Sequence, residues 1–337
     1  MENENLDFAA RVQNELETFS QAHAEGGIAS SIPEIFSYWA SHYLSPRLRE
    51  VFGEHDITSL FANEIVERAK SMKKTGVFKC LSLGSGDCSE DFEIAQKVIE
   101  KGVNIKITCT DLNPKLMSYS AEKAKEKGLE KYFIFETLDL NSQFPKSNHD
   151  VIYVNHSLHH FVELEKIFTN INSNLNAGGS FIVSDMIGRN GHRRWPEALV
   201  WMNSLWSILP LEKKFNNFSK KIDDPYINFD CSAENFEGIR AEDVLPLLVK
   251  EFHFEKFVGF GNVIDVFTDR IYGHNYSVNN KWDVAFIDFV ENLNTQLIDA
   301  GTVKPTAMFG TLVKKTKNNK ECVYSRWNPE FSVRQPG

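Results

Sequence analysis

The chain is poor in cysteine and has no spacing that would pair what it has. Its five cysteines, Cys80, Cys88, Cys109, Cys231 and Cys322, form no CxxC pair and no even-numbered set, which excludes a disulfide framework and points to reduced thiols in a cytoplasmic protein. Long apolar runs are also missing: none approaches the roughly 20 residues a membrane helix needs. The opening MENENLDFAA is acidic and has neither the basic start nor the apolar core of a secretory signal. Positive charge is in deficit, with 37 Lys and Arg against 46 Asp and Glu and a formal net charge of -9. A nucleic-acid or anionic-membrane partner would favour a basic face, so neither is expected, and a small-molecule substrate is. No internal repeat or low-complexity tract occurs.

What is present is enough for a large core. At 337 residues and 42% hydrophobic content, the chain can bury one sizeable core with an accessory region, or two small domains. Its 26 phenylalanines point to an aromatic core and an aromatic-lined pocket. Residues 1–75 read as helices, from Leu6, Ala9, Ala10, Gln13, Leu16 and Phe19 at helical spacing, then Ile35 to Tyr43 after Pro33, then Ile57 to Met72. The stripe of Phe36, Tyr38, Trp39, His42 and Tyr43 suits a core, the face of a homodimer, or a lid.

From Val77 the pattern changes to short apolar strands alternating with amphipathic helices, the mark of a parallel sheet covered on both faces. Strands are expected at 77–83, 105–110, 131–137, 150–154, 180–184, 252–260 and 306–313, with helices at 89–101, 115–127, 163–175, 195–209, 240–250 and 281–299. Residues 210–239 and 261–300 read as insertions, the first as a loop or cap near the site. The basic and polar tail, 315–337, is expected at the surface.

The first of these strands breaks into Gly84-Ser85-Gly86. At such a turn glycine lets the backbone approach a ligand, and the following helix N-terminus favours a polar or negative group. The turn alone is equally readable as a close helix crossing, and Ser89 stands where a dinucleotide fingerprint wants its last glycine. The second strand ends in Asp111, 25 residues after Gly86 and followed by Leu112-Asn113-Pro114. Asn113 can cap the next helix, which frees Asp111 for the hydroxyls of a ribose. After the third strand, Asp139 could meet an adenine amino group while Leu140 or Leu112 packs on the ring; Asp139 could equally bond its own turn.

These segments, with VIYVNHSLHHF at the fourth strand and LNAGGSFIVSDM at the fifth, resemble class I S-adenosylmethionine-dependent methyltransferases over residues 76–187, and the strand pattern extends the likeness to Lys314. The resemblance implies an α/β fold with a seven-stranded Rossmann-like sheet, order 3-2-1-4-5-7-6, last strand antiparallel, and S-adenosyl-L-methionine as cofactor. It implies that Gly84, Ser85 and Gly86 line the methionine moiety, Asp111 and Asp139 hold ribose and adenine, and Asn155 or His156 lies beneath. Two positions depart from the family: Ser82 replaces the usual acidic residue before the glycines and Cys88 the usual third glycine. Asp87 or Glu90 could stand in near the methionine amino group.

Methyl transfer from a sulfonium needs an aligned nucleophile, a base and exclusion of water. The candidate bases are His156, His159, His160 and His192, with Asp185; each could instead cap a helix or pack beneath a loop. No metal is expected, because the spacing matches no zinc signature and adjacent His159 and His160 should point apart. Arg189, Arg193 and Arg194 could grip a carboxylate or phosphate, and Asp265, Arg270 and His274 could form a pocket wall. The expected function is methyl transfer to a small polar acceptor such as a sugar, at oxygen. Alternatives are a keto-acid C-methyltransferase with a histidine-bound metal, a nicotinamide-dependent oxidoreductase, and a non-catalytic cofactor-binding scaffold.

Overall fold

In a computed structural model, which describes Arg11, Gln13, Asn14, residues 31–315 and residues 321–335, the apolar segments become strands β1 (Phe78–Leu83), β2 (Ile105–Asp111), β3 (Phe133–Thr137), β4 (His149–Asn155), β5 (Leu175–Met186), β6 (Phe252–Phe260), β7 (Ala307–Lys314) and β8 (Cys322–Val323). They form one sheet in the order β8-β6-β7-β5-β4-β1-β2-β3. β1 to β5 run parallel, and β7 lies antiparallel between β5 and β6. This is the expected 3-2-1-4-5-7-6 arrangement, extended at the β6 edge by the two-residue β8.

The central strands are buried on both faces, so they read as continuous apolar runs. Cys80, Val151 and Tyr153 face one core cluster with Phe61, Phe92 and Phe309. Their neighbours Leu81, Ile152 and Val154 face the other, with Phe168, Phe181 and Phe252. Side chains two apart share a face, so each strand feeds two cores. β5 extends well beyond the expected 180–184, because Asn176 to Gly179 continue the strand past a register shift in β4. β3 starts two residues late, after a 3₁₀ turn at Glu130–Tyr132.

Helices α1 (Glu34–Trp39), α2 (Ser45–Phe52), α3 (Ile57–Met72), α4 (Ser89–Glu100), α5 (Pro114–Glu126), α6 (Leu164–Asn174), α7 (Pro196–Ile208), α8 (Ala241–Glu251) and α9 (Lys281–Asp299) surround the sheet, with a π-turn at Ala40–Leu44 joining α1 to α2. None is long and apolar enough to cross a membrane among the described residues. Trp39 is core: it is 2% exposed and donates from Nε1 to Glu291 of α9 at 2.8 Å, and Arg47 pairs with the same carboxylate at 2.5 Å. Of the first expected helix only Arg11, Gln13 and Asn14 are among the described residues. Arg11 and Asn14 donate to the carbonyls of Ser232, Asn235 and Glu234 in the insertion at 210–239.

The tail requires a correction. It was expected at the surface, yet Trp327 is 1% exposed, donates to Asp299 at 2.8 Å and lies under the Arg47 guanidinium at 5.2 Å. A polar average over this segment conceals one large ring that gains more from burial than its neighbours lose.

Candidate active site at the strand ends

β1, β2 and β4 end along one edge of the sheet, and the loops after them enclose a cavity of about 470 Å³, within the usual range for a small-molecule site. Its lining includes Gly84, Ser85, Gly86, Asp111, Leu112, Asp139, Leu140, Asn155 and His156, the nine residues named from sequence as a cofactor seat. Gly84 has φ 64°, and a Cβ there would come within 2.7 Å of Ser157, so both backbone conformation and space demand glycine. Ser157 fixes the approach by donating from Oγ to the Gly84 carbonyl at 2.8 Å. Cys88, in place of the family's third glycine, itself adopts φ 58° at the head of α4.

Asp111 ties the first two strand ends together. Its Oδ2 accepts the Gly86 N–H at 2.9 Å and its Oδ1 the Asn113 N–H at 2.8 Å. Asn113 caps α5 by accepting from the Lys115 and Leu116 N–H groups. Asp139 accepts from the backbone and side-chain N–H groups of Asn141 at 3.0 and 3.1 Å, the local turn its sequence allowed, while still lining the cavity.

The floor contains a carboxylate that sequence reasoning missed. Asp91, in the first turn of α4, is buried and accepts from the Tyr153 hydroxyl. Burial pushes its pKa up to about 6, against hydrogen bonds from Tyr153 and Ser82. Asp91 thus brings a carboxylate from the neighbouring helix to Ser82. Glu90, also raised by burial, accepts from the Asn155 side chain.

Beyond β4 the chain builds a histidine cluster. Asp185, fully buried at the end of β5, accepts from the Ser157 and Leu158 N–H groups at 2.9 and 2.8 Å, from Met186 N–H at 2.8 Å and from His159 Nδ1 at 2.6 Å. His159 and His160, expected to point apart, have ring centroids 4.3 Å apart. The backbone coils into a single 3₁₀ turn at Leu158–His160, which brings adjacent side chains round to one carboxylate. That carboxylate is Glu237, from the insertion at 210–239, and no sequence signal marked it. His159 Nε2 lies 3.4 Å, His160 Nε2 3.7 Å and His192 Nε2 2.6 Å from its oxygens.

The electrostatics follow the contacts. Burial opposes charge on His159, but Asp185 and Glu237 outweigh it and hold its pKa up at about 10. Burial likewise works against the ionised forms of Asp185 and Glu237, and the imidazoles overcome it to lower both. Burial lowers His192, whose Nδ1 has no partner among the described residues. His156 differs: at φ 51° its ring is open to the cavity, its nitrogens have no hydrogen-bond partner among the described residues, and the surrounding protein mass lowers its pKa.

The expected guanidinium grip is not assembled. Arg193 pairs with Asp230 at 3.3 Å, Arg194 is buried against Asp265 at 3.0 Å, and Arg189 donates to the Arg194 carbonyl at 3.1 Å. These contacts spend the charges on holding the two insertions to the loop after β5. Asp265 also accepts from Thr306 at 2.6 Å, and neither it nor His274 lines the cavity. Arg270 is exposed, makes no ion pair among the described residues, and lies near enough to His156 to disfavour a proton there. Phe236, beside Glu237, closes one wall.

Residues 75–221 match the model of a family described as "Methyltransferase domain". No curated protein matches the chain. Among solved structures, the chain is similar to the plantazolicin methyltransferase BpumL in complex with SAH, at 12% identity over 90% of this chain and 99% of that one, TM-score 0.40. It is similar to an O-methyltransferase from a trans-AT PKS multienzyme of Brevibacillus brevis in complex with S-adenosyl-L-homocysteine, at 13% identity over 82% and 79%, TM-score 0.42. A third is the StiE O-MT, at 11% identity over 85% and 81%, TM-score 0.44. These likenesses are distant, and substrate and mechanism have to come from this chain's own residues.

Proposed function

We propose that this chain, whose residues 75–221 match a model described as a methyltransferase domain, is a class I S-adenosylmethionine-dependent methyltransferase that methylates an oxygen of a small polar acceptor in the space between the cofactor seat and the histidine cluster. The observation that carries this reading is the single cavity that runs from the glycine turn and Asp111 to the open ring of His156.

The residues present fit the cofactor. Gly84 and Gly86, both at positive φ, leave the turn free of side chains where a ligand would approach. Asp111 puts a carboxylate on the cavity wall at a strand end, where it suits the hydroxyls of a ribose, and Leu112, Leu138 and Leu140 give an apolar wall for a base. Glu90 and Asp91 put carboxylates at the other end, where an ammonium group would relieve their burial. When bound, the cofactor supplies a methyl group already activated on a sulfonium.

The chain's own residues then have three tasks. His156 accepts the proton that the acceptor hydroxyl loses, with a ring that faces the cavity and holds no competing bond. Arg270 holds an anionic or strongly polar substituent of the acceptor beside His156. Phe236 and the loop that carries it keep water out. The exposed Arg270 guanidinium near His156 and the modest size of the cavity support a small polar acceptor, a sugar or related metabolite.

The test is transfer of a labelled methyl group from S-adenosylmethionine to a panel of small hydroxylated acids and sugars. Turnover should appear with at least one hydroxyl acceptor. In His156→Ala it should fall about 10²–10⁴-fold, with affinity for S-adenosylhomocysteine unchanged. Binding without turnover across the panel, or full activity in His156→Ala, would overturn the reading.

A further inference from the structure

We propose that His159, His192 and Glu237 bind one divalent transition-metal ion of the zinc type, held by the two imidazole Nε2 atoms and the carboxylate, with Asp185 orienting His159 from behind. One ligand atom from each of the three residues lies within 4.8 Å of the others. The three come from separate places, the loop after β4, the loop after β5 and the cap, so spacing along the chain could not show the set.

The hydrogen-bond inventory favours a cation at this point. The four donors on Asp185 include three backbone N–H groups, which can only donate, so Asp185 acts as acceptor throughout. His159 Nδ1 must then carry its proton towards Asp185 at 2.6 Å. His159 Nε2 faces a Glu237 oxygen at 3.4 Å, so the space between them calls for a cation, either a second proton on the ring or a metal ion. That separation is long for a hydrogen bond, and it matches the roughly 3.3 Å between two ligand atoms that each lie about 2.0 Å from a tetrahedral ion. His192 Nε2, at 2.6 Å from the same oxygen, needs to retreat by a fraction of an ångström.

The surroundings have the form of a metal centre. A carboxylate behind a ligating histidine fixes its tautomer and raises its basicity, as Asp185 does for His159. Two nitrogens and one oxygen suit zinc, iron or nickel better than calcium or magnesium. Three protein ligands leave a coordination position for an exogenous oxygen. The His156 ring is 6.4 Å from that of His159, so such an oxygen would belong to the acceptor or to water beside it. That last step rests on the function proposed above, whereas binding of the ion does not.

The test uses the whole protein, stripped with a chelator and titrated with Co²⁺ alone, without cofactor or acceptor. One ion per chain should bind and give visible d–d bands of a low-coordinate nitrogen and oxygen site, and Zn²⁺ should displace it. His192→Ala and Glu237→Gln should each weaken binding by about 10²-fold or more, and Asp185→Asn by about 10–100-fold, with far-UV circular dichroism reporting that each variant is folded. No retained ion and no bands in the wild type would overturn the proposal, leaving His159 as an imidazolium between two carboxylates. A sulfur-to-cobalt charge-transfer band, or bands that persist in both His192→Ala and Glu237→Gln, would also overturn it by placing the ion at Cys88, Asp91 and Cys109.

Discussion

Gly86 and Asp111 meet across the ends of two neighbouring strands: the Gly86 N–H donates to Asp111 Oδ2 at 2.9 Å. The bond makes the carboxylate part of the turn as well as a wall of the cavity. The register of β1 on β2, Leu83 opposite Thr110, delivers the glycine turn and the carboxylate to the same edge.

Replacing Asp111 therefore removes two things at once, the acceptors offered to a sugar and the tether on Gly86. Asp111→Ala should weaken S-adenosylhomocysteine binding by about 1–3 kcal/mol, as measured by calorimetry. Asp111→Asn keeps one acceptor oxygen and should lose less. An unchanged dissociation constant in Asp111→Ala would reduce the residue to a turn stabiliser.

Gly84→Ala places a methyl group 2.7 Å from Ser157 at φ 64°. Strain from the backbone alone is about 1–3 kcal/mol, and Ser157 must also give up its bond to the Gly84 carbonyl. Denaturant unfolding should show the loss, accompanied by weaker cofactor binding. Adding Ser157→Gly should restore part of the stability by removing the clash and none of the part that comes from φ. Equal stability of the single and double variants would show that Ser157 does not limit the space.

The sheet was legible because parallel strands buried on both faces leave unmistakable runs such as VIYV, and because the breaks at Gly84 and Asp111 fall at strand ends. The cofactor seat was legible for the same reason, since its residues follow their strands directly. Asp91 was not, because its carboxylate reaches the seat from a helix whose amphipathic pattern hides one buried acid. Glu237 was invisible: it meets His159 and His192 through a long insertion whose path depends on contacts such as Arg193 with Asp230 and Arg194 with Asp265. Arginines read as ligand grips turned out to be the ties that bring Glu237 home. Trp327 was lost in the polar average of its segment.

That tryptophan gives a stability prediction far from the site. It is 1% exposed, donates to Asp299 and stacks under Arg47, whose carboxylate partner Glu291 also holds Trp39. Trp327→Ala should cost about 3–5 kcal/mol, read as a lower denaturant midpoint with the slope unchanged. A loss below about 0.5 kcal/mol would mean that the tail is not docked in solution.

His149, the first residue of β4, supplies a pH dependence whose sign is fixed by its surroundings. It is 1% exposed, its Nδ1 has no partner among the described residues, and its Nε2 lies 3.3 Å from the Ser147 hydroxyl. Burial, helped by the charge of Lys79 and opposed by Asp150, lowers its pKa to about 4. In the unfolded chain the ring titrates near 6.5. Between those values the unfolded state binds a proton that the folded state refuses, so stability is full above about pH 6.5 and falls as the pH drops towards about 4. The contribution of this one ring should reach about 2–3 kcal/mol over that window. Asp91, with its raised pKa of about 6, titrates there too and in the opposite sense, so the measurement has to be a difference. Unfolding free energies of the wild type and His149→Gln should converge or cross as the pH falls from 7 to 4, because the variant lacks the acid-sensitive term. Two curves that stay parallel across the window would show that the ring gains its proton inside the fold.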